Sequence, residues 1–169
     1  CSFDSIKGAN VVRASSGAAS NIKLIVTNST FENCVVASNG VVQIDSSKSS
    51  NATGEIKNND FINNKISVSG NVAVIYLSAP AKAENNYFSG NTTTTDADSH
   101  KNGIIVTGSN AGGSTITGNA FENHTFVSGK GQGAVYGANG TTAVSNNYYG
   151  ANLKHLVESG ISEGKVATG

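Results

Sequence analysis

The stretch Ile56-Lys57-Asn58-Asn59-Asp60-Phe61, with Asn64 three residues beyond it, decides the fold because it recurs along the chain. Val26-Thr27-Asn28-Ser29-Thr30-Phe31, Ala83-Glu84-Asn85-Asn86-Tyr87-Phe88 and Ile116-Thr117-Gly118-Asn119-Ala120-Phe121 align with it. Val144-Ser145-Asn146-Asn147-Tyr148-Tyr149 is a fifth copy with Tyr at the anchor, and Cys1-Ser2-Phe3 matches the tail of a sixth. The anchors Phe3, Phe31, Phe61, Phe88, Phe121 and Tyr149 lie 28, 30, 27, 33 and 28 residues apart. Three residues after each anchor stand Ile6, Cys34, Asn64, Asn91, His124 and Asn152. A period in this range marks a repeat architecture, in which one unit cannot bury its apolar face alone and stacked neighbours build a continuous core.

Working outward from the anchor, each unit holds a second signal. Short β-branched runs follow, among them Gly40-Val41-Val42-Gln43-Ile44, Asn71-Val72-Ala73-Val74-Ile75-Tyr76-Leu77 and Gly103-Ile104-Ile105-Val106. They are bounded by Gly, Ser and Asn, as strands are. Before the anchors, Leu24, Val26, Ile56, Ile116 and Val144 keep a period of two, the spacing of a half-buried strand. Two or three short strands per unit suit one coil of a parallel β-helix with three faces and three corners. The unit is short for a β-propeller blade, which needs roughly 40 residues or more. The expectation is therefore an all-β, right-handed, single-stranded parallel β-helix over 1–152, with about five coils of 27–33 residues. The anchor rings should point inward and stack. Residues 153–169 break the pattern: Leu153, Leu156, Val157 and Ile161 have helical spacing and Gly160 can stop a helix, which reads as a short helical cap or a tail.

The asparagines fit this geometry. Corners need left-handed backbone angles, which Asn and Gly adopt most cheaply. Equivalent Asn side chains can also hydrogen-bond coil over coil. Asn28, Asn58, Asn85 and Asn146 form one expected ladder, Asn59, Asn86, Asn119 and Asn147 a second, and Asn64 and Asn91 a short third.

Composition excludes several functions. Basic and acidic residues balance at 11 each, with Arg13 the one arginine, so no nucleic-acid-binding surface is expected. No apolar run approaches the roughly 18 residues of a membrane helix, so no membrane insertion is expected. Solvation falls to 22 Asn, 22 Ser and 14 Thr. The chain opens in mid-repeat at Cys1, which reads as a mature or cut piece. Cys1 and Cys34 differ in repeat position, so a buried small residue is favoured over a disulfide.

Catalysis on polysaccharide would need converging carboxylates. Asp4, Asp45 and Asp60 fall on different edges of the coil, and Arg13 has no acidic residue at a matching position, so no catalytic residue and no cofactor are assigned. The densest polar cluster is Asp96-Ala97-Asp98-Ser99-His100-Lys101, inside the longest insertion, 92–101; a second insertion, 124–132, holds His124 and Lys130. These supply the binding-loop candidates Asp96, Asp98, His100, Lys101, His124 and Lys130. Asp96 and Asp98 are the only metal-ligand candidates, with a solvated loop as the alternative. His124 takes the Asn slot of its repeat, as a corner residue. Gly129 to Gly133 precedes a strand, unlike a phosphate loop. Tyr76, Tyr87, Tyr136, Tyr148 and Tyr149 stack on sugars if exposed and otherwise pack in the core or at corners.

The N-N-x-F-x-x-N tract with a following G-[AVI]-[VI] strand resembles the polymorphic outer-membrane-protein repeats of bacterial autotransporter passengers. It is also similar to the adhesin-like surface proteins of methanogenic archaea, where an element like Asn146-Asn147-Tyr148-Tyr149-Gly150-Ala151-Asn152 closes the array. The resemblance covers roughly 1–152. It implies a pectin-lyase-like right-handed β-helix, exposed outside the cell and engaged in attachment. The partner would be a surface protein or glycan of a host or neighbouring cell, and the chain a monomer. A polysaccharide-binding or polysaccharide-cleaving domain and a passive spacer are the alternatives.

Overall fold

The computed structural model describes residues 1–17, 21–46, 52–137, 143–150 and 162–163. The chain winds as a parallel β-solenoid in which every strand pairs with its equivalent one turn away. The anchor sheet contains Ser2–Asp4, Thr30–Glu32, Asp60–Ile62, Tyr87–Ser89, Ala120–Glu122 and Tyr148–Tyr149. The second holds Lys7–Gly8, Val35–Val36, Lys65–Val68, Thr92–Thr95 and Thr125–Val127. The third holds Val12–Ser16, Val42–Ser46, Ile75–Leu77, Lys101–Thr107 and Lys130–Gly137. The fourth runs from Ile22–Thr27 through Ala52–Lys57, Ala81–Glu84 and Thr115–Thr117 to Ala143–Ser145 and Ser162–Glu163. Each turn thus carries four strands rather than two or three. The extra corner arises because a left-handed residue breaks the chain on both sides of the anchor strand.

Those corners follow one rule. A residue at positive φ turns the chain, and the next residue points inward. Before the anchor, the turning residues are Asn28, Asn58, Asn85 and Asn146 at φ 51–56°, with Gly118 at 69°. After it they are Ser5, Asn33, Asn63 and Asn123, with Gly90 at 68°. Only Gly, Asn and Asp enter this region readily, since a Cβ meets the following carbonyl there. The first expected ladder is therefore corrected. Asn28, Asn58, Asn85 and Asn146 are exposed corner residues, and the inward side chain belongs to the residue after each.

That inner column ladders as expected. The Asn59 amide donates to Asn86 Oδ1 at 3.0 Å and to the Val26 carbonyl at 2.9 Å. Asn86 repeats this with Asn119 Oδ1 and the Ile56 carbonyl, and Asn119 with Asn147 Oδ1 and the Ala83 carbonyl. The short ladder holds too: Asn64 Nδ2 reaches Asn91 Oδ1 and the Phe31 carbonyl at 2.9 Å, and Asn91 Nδ2 the Phe61 carbonyl at 2.8 Å. Every buried amide is matched, so none carries the cost of an unpaired polar group. Asn152 lies outside the described residues.

Beside the ladders run the aromatic anchors. Phe3 pairs in register with Phe31, Phe31 with Phe61, Phe61 with Phe88, Phe88 with Phe121 and Phe121 with Tyr149. Their ring centroids are 4.8, 4.9, 4.9, 5.2 and 5.5 Å apart, the spacing that strand pairing imposes. Phe31, Phe61, Phe88 and Phe121 are fully buried, with Ile44, Ile56, Ile75, Leu77 and Ile116 across the interior.

The five-stranded sheets advance through four steps, so the solenoid makes about four turns where five coils were expected. In the third sheet the register slips where Lys101 and Asn102 face Lys130 and Gln132 of the last strand, which carries one residue more. Among the described residues there is no helix. Residues 153–161 and 164–169 of the expected cap lie outside the description, while Ser162–Glu163 form a strand on Ala143–Val144.

Candidate functional site

The repeat changes most where the second sheet hands over to the third. The step from anchor to third sheet lengthens from Phe3–Val12 through Phe61–Ile75 to Phe88–Ile105, pairs fixed by the strand register. The added residues extend strands more than they form loops. Thr92–Thr95 and Lys101–Thr107 are strands, so the expected insertion 92–101 shrinks to a connection over 96–100. In 124–132, Thr125–Val127 and the start of Lys130–Gly137 are likewise strands. A row of threonines and a β-branched run hold an extended backbone once a neighbouring turn offers an edge.

At this corner four candidates come together. His100 Nδ1 lies 3.0 Å from Asp96 Oδ1, and the Ser69 hydroxyl, one turn earlier, donates to Asp96 Oδ2 at 2.5 Å. The hydrogen bond from Ser69, and after it that from His100, holds the Asp96 carboxyl below its ordinary value. Thr95 Oγ1 donates to the Gly70 carbonyl at 2.6 Å. Asp98 Oδ1 accepts the Gly129 N–H from the following turn at 3.3 Å. Lys101 donates its backbone N–H to Asn71 Oδ1 at 2.8 Å, and its Nζ sits 4.9 Å from the centre of the Tyr136 ring. Three successive turns are thus tied together at one exposed edge. Asp96 and Asp98 each use an oxygen on a neighbouring turn, and no group of three His, Cys, Asp or Glu gathers among the described residues.

His124 does not belong to this edge. Its ring turns inward, with Nε2 2.8 Å from Thr93 Oγ1 and its face tilted against Phe126 at 4.3 Å. Thr93 donates in turn to Asn102 Oδ1, which leaves the Thr93 oxygen to accept from a neutral His124 carrying its proton on Nε2. Nδ1 is buried without a hydrogen-bond partner. Burial pushes the ring's pKa down to about 3. The reading of His124 as a corner residue is corrected: Asn123, at φ 49°, turns the chain, and His124 is the inward residue after it. Lys130 opens a strand whose backbone pairs with Lys101.

Other residues form features that the repeat pattern left unmarked. Arg13, Gln43, Tyr76, Val106 and Tyr136 share one row on the third sheet, in which Arg13 is exposed, Tyr76 half-buried and Gln43, Val106 and Tyr136 buried. Tyr76 packs on a small apolar cluster of Ala73, Val106 and Tyr136, outside the main core. At the other end of the row Arg13 binds Asp45 at 2.6 Å, and Gln43 Nε2 donates to the same carboxylate. The expectation that Arg13 lacks an acidic partner is therefore overturned. Asp45 faces Ser15 in register, but a long guanidinium side chain reaches the diagonal neighbour on the same face. On the fourth sheet Lys23, Glu55, Lys57 and Glu84 pair across three turns, at 2.6 Å for Lys23–Glu55 and 2.9 Å for Lys57–Glu84. Counting in twos from inward Ile56 would have put Glu55 and Lys57 on that outer face. Tyr87 donates to Glu122 at 2.8 Å, and Tyr149 stacks on Phe121. Cys1 is exposed and Cys34 buried, both as free thiols, and burial pushes the Cys34 thiol up.

No protein-family model, no curated protein and no solved structure matches this chain.

Proposed function

We propose that the chain is a non-catalytic attachment segment of an extracellular, cell-surface, adhesin-like protein. It would hold a rigid face and a chemically varied edge against a surface protein or glycan of another cell. One observation carries this reading. The column of rings repeats from turn to turn, while Ser69, Asp96, Asp98 and His100 make an edge of unlike polar side chains tied by hydrogen bonds across turns. A stack of paired rings and amides resists bending, so side chains on that edge keep fixed mutual positions without a ligand. Such preorganisation lowers the ordering cost of binding. Asp4 and Asp60 sit on the anchor sheet and Asp45 on the third, with Asp45 taken up by Arg13, which supports a binding role over a hydrolytic one.

A second reading, in which the surface bound is a polysaccharide, rests on half-buried Tyr76 alone, since Val106 and Tyr136 of the same row are buried. The purified chain is to be applied to glycan arrays and to whole cells, beside Asp98→Ala/His100→Ala and Tyr76→Ala variants. Loss of cell binding in the first variant supports attachment through the edge. Loss of glycan binding in the second alone transfers the function to the third sheet. A chain inert in every format is a spacer, and the attachment reading fails.

A further inference from the structure

We infer that the outer face of the fourth sheet holds a binding site for a sugar residue that carries an acidic group, a carboxylate or a sulfate ester, separate from the edge at Asp96. A cavity of about 250 Å³ opens on this face, lined by Lys23, Thr53, Glu55, Pro80, Ala81 and Lys82 among others. Gly54 also lines it and pairs in register with Ala81; both are buried members of the inward row, so no charged side chain stands between Thr53 and Glu55. The charges around the cavity do not balance. Lys23 reaches Glu55 at 2.6 Å and Lys57 reaches it at 3.7 Å, while Glu84 is taken by Lys57 at 2.9 Å. The hydrogen bond and charge of Lys23 hold the Glu55 carboxyl below its ordinary value, with smaller contributions from Lys57 and Lys82. Lys82 stands directly opposite Glu55 in register, is exposed, and makes no ion pair among the described residues. It is the surplus cation of the face.

On its other side Lys82 faces Thr115, whose hydroxyl is shut off from solvent and has no hydrogen-bond partner. An unused donor thus sits beside the unused charge. The rest of the lining selects among anions. A purely acidic partner, such as a glutamate-rich peptide, meets Glu55 as a repulsive neighbour. A sugar with an acidic group uses both signs. Its anionic oxygens accept from Lys82, while its ring hydroxyls donate to Glu55 and exchange hydrogen bonds with Thr53. The apolar side of the ring packs on Pro80 and Ala81. Sites for drug-sized ligands run to roughly 300–1,000 Å³, so a cavity below that range takes one ring and not an extended segment.

The test is an NMR titration of the full chain with a uronic-acid disaccharide, a sulfated disaccharide, their neutral counterpart and an oligoglutamate peptide. At least one acidic disaccharide should shift the amides of Thr53, Lys82 and Thr115, and the acid that does so identifies the source of the charge. The neutral disaccharide should bind at least about fivefold more weakly, the upper end for one exposed charge pair. Lys82→Gln should cost the acidic sugar about the same factor, and Lys82→Arg should keep most of the affinity. Glu55→Gln should strengthen binding, because it removes a repulsive charge, releases Lys23 and leaves an amide oxygen to accept from the sugar. The Asp98→Ala/His100→Ala variant should bind these sugars unchanged, so loss of attachment through the edge and loss of this site are read separately. Equal binding of the neutral disaccharide, no effect of Lys82→Gln, or no binding of any sugar overturns the proposal. Tighter binding of the oligoglutamate peptide also overturns it and makes an acidic protein segment the occupant.

Discussion

Replacing His124 by Asn tests the link between the repeat and its energetics. In the folded chain the neutral ring is half-buried, donates to Thr93 and leaves a buried Nδ1 unpaired. Its pKa of about 3 compares with about 6.5 for an unfolded chain. The unfolded state therefore takes up a proton as pH falls below about 6.5, and the folded state does not until about 3. Stability is lost across that window, because protons bind the unfolded chain better. At 1.36 kcal/mol per unit the ceiling is about 5 kcal/mol, and a ring that keeps some solvent contact should realise about 2–4 kcal/mol. In the His124→Asn variant the amide would take the place that Asn64 and Asn91 hold in the ladder, with Nδ2 on the Phe88 carbonyl as Asn91 Nδ2 is on that of Phe61. The new hydrogen bonds return roughly 1 kcal/mol each, offset by the lost packing on Phe126, so the two proteins should be similar at pH 7. Urea unfolding at pH 7, 5.5, 4.5 and 3.5 measures both. The variant should lose less stability than the parent on acidification, by about 2–4 kcal/mol at the lowest pH. Parallel pH profiles would refute the buried, neutral assignment.

Other substitutions probe the scaffold separately. Phe61→Ala should cost about 3–5 kcal/mol, as a large core truncation does, and a melting temperature no lower than that of a surface Ser→Ala control would contradict the ring stack. Asn86→Ala should cost at least about 3 kcal/mol in chemical denaturation, because it strips partners from the Asn59 amide and the Ile56 carbonyl inside the core. Asn58→Gly should be nearly neutral and Asn58→Ala should cost about 1–2 kcal/mol, since Asn58 turns at φ 56°; equal effects of the two would argue against a left-handed corner. A double-mutant cycle on Arg13 and Asp45 should give no more than about 1 kcal/mol of coupling, falling with added salt, as a surface pair does.

Much of the scaffold was legible because its determinants are local and periodic. An anchor aromatic every 27–33 residues can be buried repeatedly only if turns stack, and the Asn two before it had to face the same interior. The corners were harder. Asn58 and Asn59 look alike in sequence, and only the backbone at Asn58 sends the first outward and the second inward. Asn33, Asn63 and Asn123 mark the second corner, which the F-x-x-N spacing alone did not reveal. The edge was read only in part. Asp96, Asp98 and His100 stood out as a polar cluster, but Ser69 and Gly129 reach them from adjacent turns, and nothing within one repeat reports contacts across two. The repeat spacing puts His124 at a corner, whereas the left-handed residue lies one position earlier, at Asn123. Arg13 has no acidic residue directly opposite it, but its side chain reaches two residues along the neighbouring strand to Asp45.

The in-register column of rings is the claim on which the rest stands. Proton NOE spectra of the chain with labelled phenylalanine examine it directly. Contacts should link Phe31 to Phe61 and Phe61 to Phe88, residues far apart in sequence but with ring centres 4.9 Å apart. No contact should join Phe31 to Phe88. Rings that show cross-peaks only to their sequence neighbours, or a direct Phe31–Phe88 contact, would contradict the stacked parallel solenoid.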